Sequence, residues 1–122
     1  MDLPFRYVLI GLIWLVLAMI EGLWMGMVGA TQYIPVHVLM VLTGGVTGIL
    51  IGTVLRAWPK VASDAWAKVQ FLAWNIGVLI LVIGGILRVW GYGDAVIAVG
   101  SVMVLIAALM LLVMFQRSAR TA

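Results

Sequence analysis

The stretch YIPVHVLMVLTGGVTGILIGTVL, Tyr33 to Leu55, decides the fold, because it carries no charged side chain and one histidine, His37, close to its start. As a helix it is roughly 34 Å long at about 1.5 Å per residue, enough for a hydrocarbon layer of about 30 Å. Three further apolar runs of similar length flank it: Phe5 to Val28, Trp66 to Val89 and Ala95 to Phe115. Of the 122 residues 66% are hydrophobic and 9% charged, a balance that excludes a soluble domain and leaves little chain outside the spans. The expected fold is all-α: an integral membrane four-helix bundle of one domain, residues 1–122, in antiparallel up-down order. No internal repeat, low-complexity tract or nucleic-acid motif is visible. The first run is too long for a signal-peptide core and follows Asp2 and Arg6 rather than a basic cluster, so it reads as a retained helix.

Charge sets the expected orientation. Arg6, Arg56, Lys60, Lys68, Arg117 and Arg120 fall on one side of a four-span chain and Arg88 alone on the other, so both termini are expected in the cytoplasm. Trp24, Tyr33, Trp90 and Tyr92 then mark the outer interface, with Trp58 and Trp66 at the inner one. The connections Gly29 to Gln32 and Trp90 to Asp94 are short, which makes neighbouring spans touch. Pro35 suits the first turn of span two, and Ser63 or Asp64 suits the cap of span three.

His37 is the one histidine, and cysteine is absent, so a metal or haem iron bound through nitrogen would have to use it. Counting from His37, Met40 and Val41 lie at i+3 and i+4, Gly44 at i+7 and Gly48 at i+11, near one helix face, with Gly52 drifting beyond. A glycine groove running from an imidazole suits a porphyrin plane. The competing readings are a histidine that merely hydrogen-bonds at the interface and a small-residue row that packs helices. Span one has a similar row, Ala18, Gly22, Gly26 and Ala30.

Glu21 lies about 24 Å along span one from Phe5, at about the depth of His37. An intramembrane carboxyl is a proton carrier, a cation site or the partner of the imidazole's second nitrogen; alternatively it snorkels or stays protonated. Thr43, Gln70 and Asn75 are polar groups that knit helices or contact a ligand. Arg88 either anchors a haem propionate or ends span three.

The segments Gly22-Leu23-Trp24-Met25 and Val28-Gly29, the histidine soon after with Gly44 seven positions on, and Trp74-Asn75-Ile76-Gly77 together resemble the styrene oxide isomerase family. The likeness covers spans one to three. It implies a small four-helix membrane protein, a homotrimer among membrane lipids, holding haem b through His37 with Gly44, Gly48 and Arg88 near the cofactor. The histidine-led helix is also similar to the second helix of haem–copper oxidase core subunits. The other histidines of those oxidases have no counterpart here, which excludes oxygen reduction at a haem–copper centre.

The family opens epoxides on ferric haem, aided by an asparagine six residues beyond the histidine and a tyrosine four beyond the asparagine of the next helix. Thr43 and Leu79 occupy those places here, and leucine can neither donate nor position a substrate oxygen. The expectation is a haem b protein with an iron site open to a small apolar or gaseous ligand and little or no isomerase activity; Thr43, Asn75 and Glu21 are the catalytic candidates. Two alternatives stand beside it. One is an active haem-dependent epoxide isomerase; the other is a small multidrug-type carrier dependent on Glu21. Without a CxxCH motif, covalent haem attachment is not expected.

Overall fold

A computed structural model describes residues 1–121, and every regular element in them is helical. Helix α1 is Leu3–Val28, α2 is the composite Thr31–Ala57, α3 the short Pro59–Ala62, α4 Ala67–Val89 and α5 Ala95–Arg120. Four of these, α1, α2, α4 and α5, are long and apolar enough to cross a membrane, which makes the chain a multi-pass membrane protein. The expected spans match these helices to within a turn, except that α5 continues past Phe115 to Arg120 as a polar extension.

Local chemistry sets the helix ends. Asp2 caps α1 by accepting the Phe5 N–H at 3.0 Å, and Pro4 sits in the first turn, where no intrahelical donor is needed. At the other end Gly29 takes φ 69°, a left-handed conformation that costs glycine nothing and lets the chain reverse into α2. Pro35 opens the α-helical part of α2 as expected. Trp58, extended ahead of Pro59, closes it. Before α4 the Asp64 carboxylate accepts the Trp66 N–H at 2.8 Å, whereas the Ser63 hydroxyl turns back to the Lys60 carbonyl.

Helix α2 is not uniform. A 3₁₀ turn at Thr31–Tyr33 leads into α-helix Ile34–Val38, then a π-helical stretch Leu39–Val46, then α-helix Thr47–Ala57. The π segment begins two residues after His37 and widens the helix, so the i+7 and i+11 arithmetic of an α-helix does not strictly apply across it.

The core is built from two close pairs. Along α1 and α2 the contacts run Pro4 and Tyr7 with Gly52, Gly11 with Gly48, Trp14 with Gly44, Leu15 with Gly45, and Gly22 with His37. Along α4 and α5 a Cβ on Gly84 or Gly100 would lie 2.6 Å from the partner's backbone, at Ile97 and Leu81 respectively. Such approach is the ordinary route to strong packing in lipid, where apolar burial alone gives no drive. Helices α2 and α4 are central, with 39% and 44% of their apolar windows buried against 11% for α1 and α5, whose remaining faces are clothed in leucine, isoleucine and valine.

One polar link ties three helices. The fully buried Tyr7 donates its hydroxyl to Gln70 Oε1 at 2.6 Å, and Gln70 Nε2 donates to the Ala107 carbonyl at 3.3 Å. All three residues are fully buried, so each polar group depends on the others. At the polar end, Arg117 bridges Asp64 at 2.8 Å and lies 4.0 Å over the Trp66 ring, while Arg56 meets Asp2 at 2.9 Å.

Candidate functional site

Helix α1 carries Glu21 and helix α2 carries His37, and the short Gly29–Tyr33 connection brings them to the same level. His37 Nδ1 stands 3.9 Å from Glu21 Oε2, inside ion-pairing range but beyond a hydrogen bond. Gly22 makes the approach possible: a Cβ there would lie 3.0 Å from the imidazole Cε1. Both carboxylate oxygens and Nδ1 are buried with no hydrogen-bond partner. The histidine side chain as a whole is 31% exposed, which leaves Nε2 as its accessible nitrogen.

Next to this pair is an apolar cleft of about 310 Å³ between α1, α2 and α4. Glu21 and the aromatic rings of Trp24, Tyr33 and Trp90 line it, over a floor that includes the buried Val36 and Val82. The rings hold one another: Trp24 meets Tyr33 edge-on at 5.4 Å, and Trp90 Nε1 donates to the Tyr33 hydroxyl at 2.9 Å. These are residues whose sequence positions mark them only as an interfacial belt.

The glycine row departs from expectation. Gly44 faces the Trp14 indole, where a Cβ would lie 2.6 Å from the ring, and Gly48 faces Gly11 across the seam. Both are buried against α1, so within one chain they pack helices rather than cradle a porphyrin. The reason is length. Helix α1 reaches the whole of α2, and a row of missing side chains accepts the nearest neighbour.

The other candidates are dispersed. Arg88 pairs with Asp94 at 3.1 Å, both about two-thirds exposed. Asn75 donates one amide N–H to the Phe71 carbonyl one turn back at 2.9 Å, a local bond. Thr43 is half-buried within the π segment, and Leu79 is exposed.

As a donor set the site is small. Among the described residues no three or more His, Asp or Glu side chains gather to hold a metal ion. A porphyrin iron needs only one protein donor on one face, because four nitrogens come with the ring. An accessible imidazole nitrogen, with a carboxylate beside the other nitrogen to fix ring orientation, fits that demand. The closed glycine seam does not fit, so a ring held by His37 would have to lie outside it.

Comparison with protein-family models, with curated proteins and with solved structures yields no match.

Proposed function

We propose that this chain is a membrane haem b protein in which His37, through Nε2, would hold the haem. The observation that carries the reading is the pairing of Nδ1 with Glu21 while Nε2 stays accessible. A carboxylate beside the remote nitrogen favours the tautomer whose Nε2 lone pair is free. When bound, haem b would supply an iron able to take up a small apolar or gaseous ligand. His37 holds it, Glu21 orients His37, and Gly22 gives the imidazole room. Gly44 and Gly48 serve indirectly by letting α1 and α2 close.

Isomerase chemistry is not part of this reading. Leu79 offers no donor, and one amide N–H of Asn75 is used on its own helix. Loss of one such donor commonly slows a reaction by roughly two to three orders of magnitude. Styrene oxide turnover is expected to be absent or very slow.

The same reading includes an antiparallel up-down bundle in a bacterial inner membrane, both termini cytoplasmic, assembled as a homotrimer. The contact series Pro4 with Gly52 through Gly22 with His37 supports the antiparallel order of α1 and α2. The excess of Arg and Lys at one end supports the orientation.

The test is direct. Protein purified from cells with ample haem supply should show a Soret band and a b-type pyridine haemochrome, both lost in His37→Ala. A colourless preparation, or an unchanged spectrum in the variant, would overturn the proposal.

A further inference from the structure

We infer that a cleft at the polar end of the bundle, between the start of α1 and the start of α4, binds a phosphate monoester, whether carried on an anionic lipid or on a small soluble molecule. This goes beyond the haem reading and does not rest on it. The cleft holds about 510 Å³, within the range of about 300 to 1,000 Å³ usual for ligand sites, and Arg6 and Lys68 both line it. The chain has seven basic side chains and four acidic ones. Arg56, Arg88 and Arg117 pair with Asp2, Asp94 and Asp64, and Glu21 stands beside His37, so every acidic side chain already has a basic neighbour. Arg6 and Lys68 are left with no carboxylate partner among the described residues.

Asp2 and Asp64 also line the cleft, but each is held twice: Asp2 by Arg56 and the Phe5 N–H, Asp64 by Arg117 and the Trp66 N–H. With those pairs neutral, the cleft keeps the two positive charges of Arg6 and Lys68. Orientation in the membrane accounts for an excess of bases at this end, but not for two unpartnered ones lining the same cleft. Helix stability does not account for them either, because each lies at the start of its helix, where the dipole disfavours a cation. A phosphate monoester carries nearly two negative charges at neutral pH, which matches the surplus, whereas a carboxylate carries one. The Arg6 guanidinium is a planar fork suited to two phosphate oxygens, and Lys68 adds a compact charge. The exposed Phe5 and Trp66 lie within two residues of these bases and mark the membrane interface, the level of lipid headgroups. Leu3 and Ala67 supply an apolar wall for the glycerol stem of such a ligand.

The test has two arms, one for each source of phosphate. In the first, the full chain as purified in detergent is titrated with dioleoyl phosphatidic acid and, separately, with dioleoyl phosphatidylcholine, whose headgroup has no net charge, and bound lipid is read by native mass spectrometry. In the second, glycerol 3-phosphate is compared with glycerol by titration calorimetry. The wild type should bind the phosphate monoester at least about tenfold more tightly than its comparison compound in one arm or both. Preference in the lipid arm alone assigns the site to a headgroup, and preference in the second arm extends it to soluble phosphate monoesters. Arg6→Gln combined with Lys68→Gln should remove the preference. Lys60→Gln combined with Arg120→Gln takes the same charge from the same end but from outside the cleft, and should keep it. All four side chains are exposed, so both variants should fold, and unchanged thermal denaturation checks this. No preference in either arm for the wild type, an unchanged preference in the Arg6 and Lys68 variant, or an equal loss in the two double variants would each overturn the inference.

Discussion

Two carboxylates of α1 sit in opposite surroundings. Asp2 is exposed at the helix start, and the Phe5 N–H hydrogen bond, aided by the nearby Arg56 guanidinium, holds its carboxyl below the usual carboxylate range. A depressed folded-state value means that its contribution is present above the unfolded value of about 3.9 and is lost as pH falls through the folded one. The first turn of α1 is therefore expected to hold at neutral pH and to fray only below about pH 4. The Phe5 amide proton shift, followed by pH titration, checks this, and Asp2→Asn should flatten the titration. Deeper along the helix, Tyr7 and Gln70 depend on each other. Tyr7→Phe strands the Gln70 oxygen in a dry core, for an expected cost of about 1 to 2 kcal/mol in a detergent or lipid unfolding assay. Much of this scale is legible in the sequence, because a lone polar side chain in an apolar run has few ways to be accommodated. His37 and Glu21 stand out for that reason, and their equal depth follows from counting residues. Gly44 and Gly48 illustrate the opposite case. A row of glycines looks the same whether a cofactor or a neighbouring helix fills it, and here the filling groups, the Trp14 indole against Gly44 and the Gly11 backbone against Gly48, belong to a different span.

At the scale of the helices, glycine seams decide which faces meet. Gly44→Leu is expected to collide with Trp14 and part α1 from α2, disturbing the Glu21–His37 pair at a distance rather than by blocking a porphyrin directly. Gly100→Leu is expected to be worse, because the obstructed atoms are the Leu81 backbone at 2.6 and 2.8 Å, which no rotamer change relieves. Gly26→Ala is the control: nothing lies within 4 Å of its added Cβ. Thermal denaturation in detergent should rank the three, with Gly26→Ala close to wild type. The α4–α5 seam is hard to read from the sequence, since its glycines are split between two spans, Gly77 and Gly84 in one and Gly100 in the other. The π-helical Leu39–Val46 was equally hidden. Periodicity within one span carries no sign of such a segment.

For the whole molecule, the expected orientation has a clean assay, because the chain contains no cysteine. Single cysteines introduced at Lys60 and at Tyr92 should be labelled by an impermeant maleimide from opposite sides of the membrane, Tyr92 from outside. Labelling of Lys60→Cys from outside would reverse the topology. The number and length of the spans were legible from composition, because a bilayer imposes length and apolarity on any helix that crosses it. The way the four helices share neighbours was not, because in lipid close contact between backbones, rather than an apolar stripe, selects partners. That arrangement is what gives the site its form. It brings Glu21 of the first span to His37 of the second and leaves one imidazole nitrogen accessible. The most direct measurement of the ligand claim is chemical rescue. Haem-supplied His37→Gly protein should be isolated nearly colourless, and millimolar imidazole with added haemin should restore a b-type Soret band at wild-type stoichiometry. A His37→Gly protein that keeps the wild-type spectrum without imidazole would show that another group holds the haem, and would contradict His37 Nε2 as the ligand.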